Sequence, residues 1–97
     1  MKVSNKVIHK YEELCPYSYF KCDSITDVEF KIKRAIVLGR PIKQEDNGKK
    51  LIQYHYNCFV VKDDDVVVDM FKNMNKYIEV REKVKNAYNK LEGKLLV

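Results

Sequence analysis

Residues 53–71, "QYHYNCFVVKDDDVVVDMF", carry the reading on which the fold turns. The run is rich in Tyr, Val and Phe, which suit a pleated, half-buried surface. His55 stands near its start and Asp69 near its end. A strand has little use for either on an inner face, so the pair ties the sheet together or performs chemistry.

Alternation predicts one long strand from about 50 to 61. Leu51, Gln53, His55, Asn57, Phe59 and Val61 then share one face, and Ile52, Tyr54, Tyr56, Cys58 and Val60 the other. "KDDD" turns the chain and "VVVDM" returns as the next strand. The register stays open: a four-residue loop pairs Asp69 with Cys58, while three or five residues put Asp69 on the His55 face. Upstream, Asn47-Gly48 suits a type I′ turn and sets Glu45 opposite Lys50. The expectation is a three-stranded antiparallel meander.

Helices flank it. Val7, Ile8, Tyr11, Leu14 and Cys15 follow Ser4 at helical spacing and stop before Pro16, predicting a helix over about 5–14. "CPYSYFKCDS" reads as a loop. Ile25, Val28, Ile32, Ala35 and Ile36 fit a second helix over about 25–38, with Ser24 and Asp27 as start signals and Gly39 and Pro41 as stops. From Phe71 to about Gly93 a long helix is expected, with a seam of Tyr77, Val80, Val84, Ala87 and Leu91. The predicted class is α+β in a single domain over 1–97: two N-terminal helices, the meander and a long C-terminal helix.

The chain has 97 residues and a formal net charge of +5, so acidic partners are favoured. Lys supplies nearly all the positive charge, with Arg only at 34, 40 and 81, which argues against sequence-specific DNA reading. No stretch has the length of a membrane span or a secretory leader, so a cytoplasmic protein is expected. Cys15, Cys22 and Cys58 are odd in number and unevenly spaced, which predicts free thiols.

If Asp69 reaches His55, the sheet holds a base and the group that orients it. Cys22, just ahead of the second helix, and Cys15, beside Pro16, are the candidate nucleophiles. Such a triad makes a thiol hydrolase or acyl or amide transferase. The order Cys, then His on a strand, then Asp on the next resembles the papain-like fold. Within it, "HYNCFVV" and "VVVDMF" are similar to the small bacterial effector and toxin domains. The resemblance covers about residues 20–71. It implies Cys22 first, and Cys15 as the alternative, as nucleophile, His55 as base and Asp69 as orienter; a protein substrate or protein target is the expected partner.

Plainer roles compete. His55 suits a hydrogen-bonded structural residue, Asp69 a cap on the last helix, and the cysteines small buried side chains. The aspartates at 63–65 lack the spacers and glycine of a calcium loop, and no Gly-rich phosphate loop occurs, so neither metal nor cofactor is expected. Two other functions remain open. Tyr17, Tyr19 and the other tyrosines suit a non-catalytic inhibitor or adaptor of phage or mobile-element type, docking on a host protein. Lys72, Lys76, Lys83 and Lys90 along the last helix suit nucleic acid, and its seam a homodimer.

Overall fold

A computed structural model describes residues 1–93. The elements are β1 (Lys2–Val3), α1 (Asn5–Leu14), α2 (Pro16–Phe20), α3 (Ile25–Leu38), β2 (Arg40–Gln44), β3 (Lys50–Tyr54), β4 (Asn57–Val61), β5 (Val66–Lys72) and α4 (Glu82–Leu91). The strands form one five-stranded sheet in the order β1-β5-β4-β3-β2. β1 runs parallel to β5, and the other neighbours pair antiparallel. The class is α+β, but the three-stranded meander is replaced by this mixed sheet.

The correction begins at His55. The expected long strand is two strands, because Tyr54 pairs with Asn57 and only His55 and Tyr56 lie between them. His55 takes φ of 55°. Positive φ at the first position of a two-residue turn is the type II′ pattern, usually given to glycine. The reversal also changes side-chain parity. Ile52, Tyr54, Phe59 and Val61 enter the core with the helices, whereas Gln53 and Cys58, paired with each other, occupy the opposite face.

The helix starts match the local chemistry. Ser4 Oγ accepts from the Val7 N–H, and Ser24 Oγ from the Asp27 N–H. Asp27 Oδ2 accepts from the Asp23 N–H, a reciprocal bond displaced by one residue from the usual box. Gly39 is required by proximity: a Cβ there would lie 2.6 Å from the Ala35 carbonyl oxygen and 2.7 Å from that of Gln53. The helix end is thereby pressed onto β3. At the β2–β3 connection Gly48 alone takes positive φ. Asn47 Oδ1 accepts from the Lys49 N–H, and the register becomes Gln44 to Lys50, one residue from the type I′ expectation.

The predicted long C-terminal helix is shortened to Glu82–Leu91. Phe71 and Lys72 stay in β5, where they pair with Cys58 and Asn57, and Asn73 Oδ1 accepts from the Asn75 N–H to break the chain direction. Its seam is dispersed: Val80 is buried in the core and Tyr77 stacks on His55, while Val84 and Leu91 are exposed. The buried residues of α4 are Tyr88 and Asn89. Lys72 ends β5, Lys76 lies in the following coil, and only Lys83 and Lys90 are on the helix, so no single basic face results. A third N-terminal helix, α2, replaces the start of the expected loop.

The core joins Val7, Ile8 and Tyr11 of α1 to Val28, Ile32 and Ala35 of α3 over the sheet. Phe59 and Ile32 have no solvent exposure, and each contributes about 1.5–3 kcal/mol by burial. Among the described residues no helix is long and apolar enough to cross a membrane.

Candidate functional site

The His55 turn is pinned from several sides. Its backbone N–H donates to the Ile78 carbonyl at 2.9 Å, and the Ile78 N–H returns a bond at 3.1 Å. Gln53, without solvent exposure, donates through Nε2 to the carbonyls of His55 at 2.9 Å and Lys76 at 2.6 Å. Its Oε1 accepts from Cys58 Sγ and Asn73 Nδ2, so the hydrogen-bonding capacity of the amide is filled. The imidazole lies edge-on to Tyr54 and stacked on Tyr77, with centroids 4.4 and 5.1 Å away. Its Nδ1 is buried without a hydrogen-bond partner among the described residues.

Cys15 approaches from the helical layer. It closes α1 through its N–H to the Tyr11 carbonyl at 2.8 Å, and Pro16 starts α2 immediately after it. Its Sγ donates to Asn57 Oδ1 at 3.5 Å. Cys15, His55 and Asn57 line a single cavity of about 210 Å³, with Lys31, Arg34 and Tyr54 also in its wall. Burial pushes the Cys15 thiol up, against the lowering effects of the Lys72 charge and the Asn57 hydrogen bond. Burial, together with the Lys85 charge, pushes His55 down. Both shifts run against a thiolate at Cys15 and an imidazolium at His55.

Asp69 lies elsewhere. A register shift in the β4–β5 pairing sets Val61 opposite Val67 and Val60 opposite Asp69. The Asn57 rung meets Lys72, three residues or roughly 10 Å along β5 from Asp69. The Asp69 carboxylate instead takes Lys10 at 2.6 Å and Lys6 at 3.5 Å, and the Lys10 hydrogen bond holds it below the usual carboxylate range. Cys22 is also apart, in a hollow with Tyr19, Asp23, Ser24 and Val28. Its Sγ donates to the Ser18 carbonyl at 3.4 Å, and burial pushes its thiol up.

The surface residues divide similarly. Tyr17 is 86% exposed on α2, whereas Tyr19 packs against the core. Lys72 bears on Cys15; Lys76, Lys83 and Lys90 are solvent-exposed. Sequence reasoning did not single out Asn57, Gln53, Lys31, Arg34 or Lys85. Lys31 was legible as a cation three residues after Val28 and four before Ala35, on the apolar stripe of α3. Asn57 and Gln53 depended on the hairpin. Among the described residues no cluster of His, Cys, Asp and Glu is fit to hold a metal ion. No family model, curated protein or solved structure matches the chain.

Proposed function

We propose that the protein is a thiol-dependent acyl-transfer enzyme, a hydrolase or acyl or amide transferase, with Cys15 as nucleophile and His55 as its base. The observation that carries this reading is the cavity that Cys15, His55 and Asn57 line together. Asn57 Oδ1, accepting from Cys15 Sγ, orients the thiol. Tyr54, Tyr77 and the paired backbone bonds to Ile78 hold His55, the work a carboxylate does in a conventional triad. Asp69, bound to Lys10, has no part in it.

Because both shifts run against the charged pair, attack proceeds by general-base catalysis. As Cys15 Sγ bonds to the acyl carbon, its proton passes to the imidazole and the carbonyl electrons move to oxygen. Collapse of that adduct breaks the bond to the leaving group, which takes the proton from His55 and leaves a thioester. Water then attacks, its proton passing to His55. The carbon–sulfur bond breaks, the sulfur recovers that proton, and a carboxylic acid departs; an amine in place of water gives transfer. Three unpaired thiols fit a reducing compartment such as the cytoplasm.

The test is acetylation by p-nitrophenyl acetate, with the modified cysteine located by mass spectrometry. Cys15 should acetylate before Cys22 and Cys58, and His55→Ala should slow it on the order of a hundredfold. Acetylation of Cys22 as fast as Cys15, or a rate indifferent to His55→Ala, overturns the proposal.

A further inference from the structure

The Cys15 cavity shares wall residues with a second, larger hollow of about 380 Å³ among α2, α3 and α4. Ser18, Lys31, Arg34 and Lys85 line both. The second hollow adds Lys21 and Glu82, so four cations face one carboxylate there. That carboxylate is already engaged: Glu82 accepts from Lys85 at 3.2 Å and is itself largely exposed. Among the described residues neither Lys31 nor Arg34 is in an ion pair.

Lys31 is the unusual member. It is only 6% exposed, and a buried ammonium normally has a charged partner. Its Nζ meets neutral groups, the Ser18 carbonyl at 3.1 Å, Ser18 Oγ at 3.2 Å and the Cys22 thiol. Its three donors thus meet no anion in any ion pair among the described residues. Arg34 donates through Nη1 to Asn89 Oδ1 at 3.0 Å, and its buried Nε has no partner. Tyr54, 8% exposed, lines the cavity with a buried hydroxyl that also lacks one. Lys85 Nζ stands 5.5 Å from the centre of the Tyr54 ring, which places the third cation against the same wall.

A guanidinium and a phenol with unpartnered donors, and two ammonium groups, all on residues that line space next to a thiol, are the requirements of an oxyanion site. We infer that Lys31, Arg34 and Lys85 bind the phosphate group of the substrate beside Cys15. The excess of positive charge suits a dianion better than a single carboxylate. The assignment of that ligand as a substrate rests on the acyl-transfer reading above; the anion site itself does not. It gives Lys31 a counter-charge, which no ion pair among the described residues supplies.

Titration with inorganic phosphate, followed by calorimetry and by thermal shift at chloride-matched ionic strength, tests this directly. Saturable binding is expected in wild type and in Cys15→Ser. Arg34→Gln and Lys85→Met should each weaken it roughly tenfold or more, while the exposed Lys62→Gln should not. Lys31→Met should abolish it; if that variant fails to fold, the Arg34 and Lys85 variants decide the matter. Absence of saturable binding, equal binding by those two variants, or preference for succinate over phosphate overturns the inference. Phosphate binding without His55-dependent acetylation of Cys15 refutes the acyl-transfer reading and leaves the anion site standing. The reverse pattern refutes the anion site alone.

Discussion

The side-chain amide of Gln53 donates to the carbonyl oxygen of His55 at 2.9 Å, so a residue on the far face of the sheet holds the turn that presents the imidazole to the helical face. Gln53→Leu keeps the approximate volume but strands the Lys76 and His55 carbonyls and the Asn73 amide. A loss of about 2–3 kcal/mol in urea unfolding is expected. Acetylation of Cys15 should fall with it. An unchanged unfolding midpoint counts against Gln53 as the pin.

His55 has φ of 55°, a conformation in which a Cβ is costly and glycine is free. His55→Gly should therefore be more stable than His55→Ala by about 1 kcal/mol, although both lose the base. Equal stabilities in a chemical denaturation series mean that the turn relaxes out of the left-handed region.

The imidazole also predicts a pH dependence. Burial and the Lys85 charge lower its pKa in the folded protein, so between the folded and unfolded values the unfolded chain binds more protons. Stability then rises with pH through that window and levels off above the unfolded value of about 6.5. In the wild type, stability should decline as the pH drops below that point. His55→Gln should remove that part of the slope, and an identical slope in the variant contradicts the shift.

Asp69 is lowered chiefly by the Lys10 hydrogen bond, which is the opposite case for an acid. Its contribution is present above the unfolded carboxylate value and is lost as pH falls through the folded one. The pair is partly exposed, at 36% and 33%, so Asp69→Asn should cost no more than about 1 kcal/mol at neutral pH. A double-mutant cycle with Lys10→Met at neutral and at acid pH measures the coupling, which should vanish in acid. Cys15 acetylation in Asp69→Asn should match wild type.

Gly39→Ala has a steric consequence. The new methyl would meet two backbone oxygens, those of Ala35 and Gln53, at 2.6 and 2.7 Å, and neither is a flexible side-chain end. A loss of about 3 kcal/mol is expected from equilibrium unfolding. A gain of stability, the usual result where glycine is merely flexible, would show that the α3–β3 junction yields.

Caps and apolar periodicity are local, and they located α1 and α3 to the residue: Ser4, Ser24 and Gly39 act within a few positions of themselves. The α+β class followed from the same signals, and so did the β-forming character of residues 50–61 and 66–70. The reversal at His55 was hidden because no glycine marks it. Its energetic support comes from Ile78 and Gln53, partners that are adjacent only after folding. The C-terminal seam misled because Tyr77, Val80, Val84, Ala87 and Leu91 have helical spacing, yet Tyr77 and Val80 found partners in His55 and the core first.

For the site, the sequence alone supplied the candidate side chains, three thiols and one imidazole among β-formers, and passed over Lys31 on its apolar helical stripe. Tertiary structure alone decided which of them meet. A single reversed turn inverted strand parity, a register shift carried Asp69 to Lys10, and Cys15 rather than Cys22 was left lining a cavity with His55. The reason is that side-chain direction in a sheet has a period of two. One residue of register reassigns a whole face, and that residue is set by long-range hydrogen bonds and packing, not by any local preference of the chain.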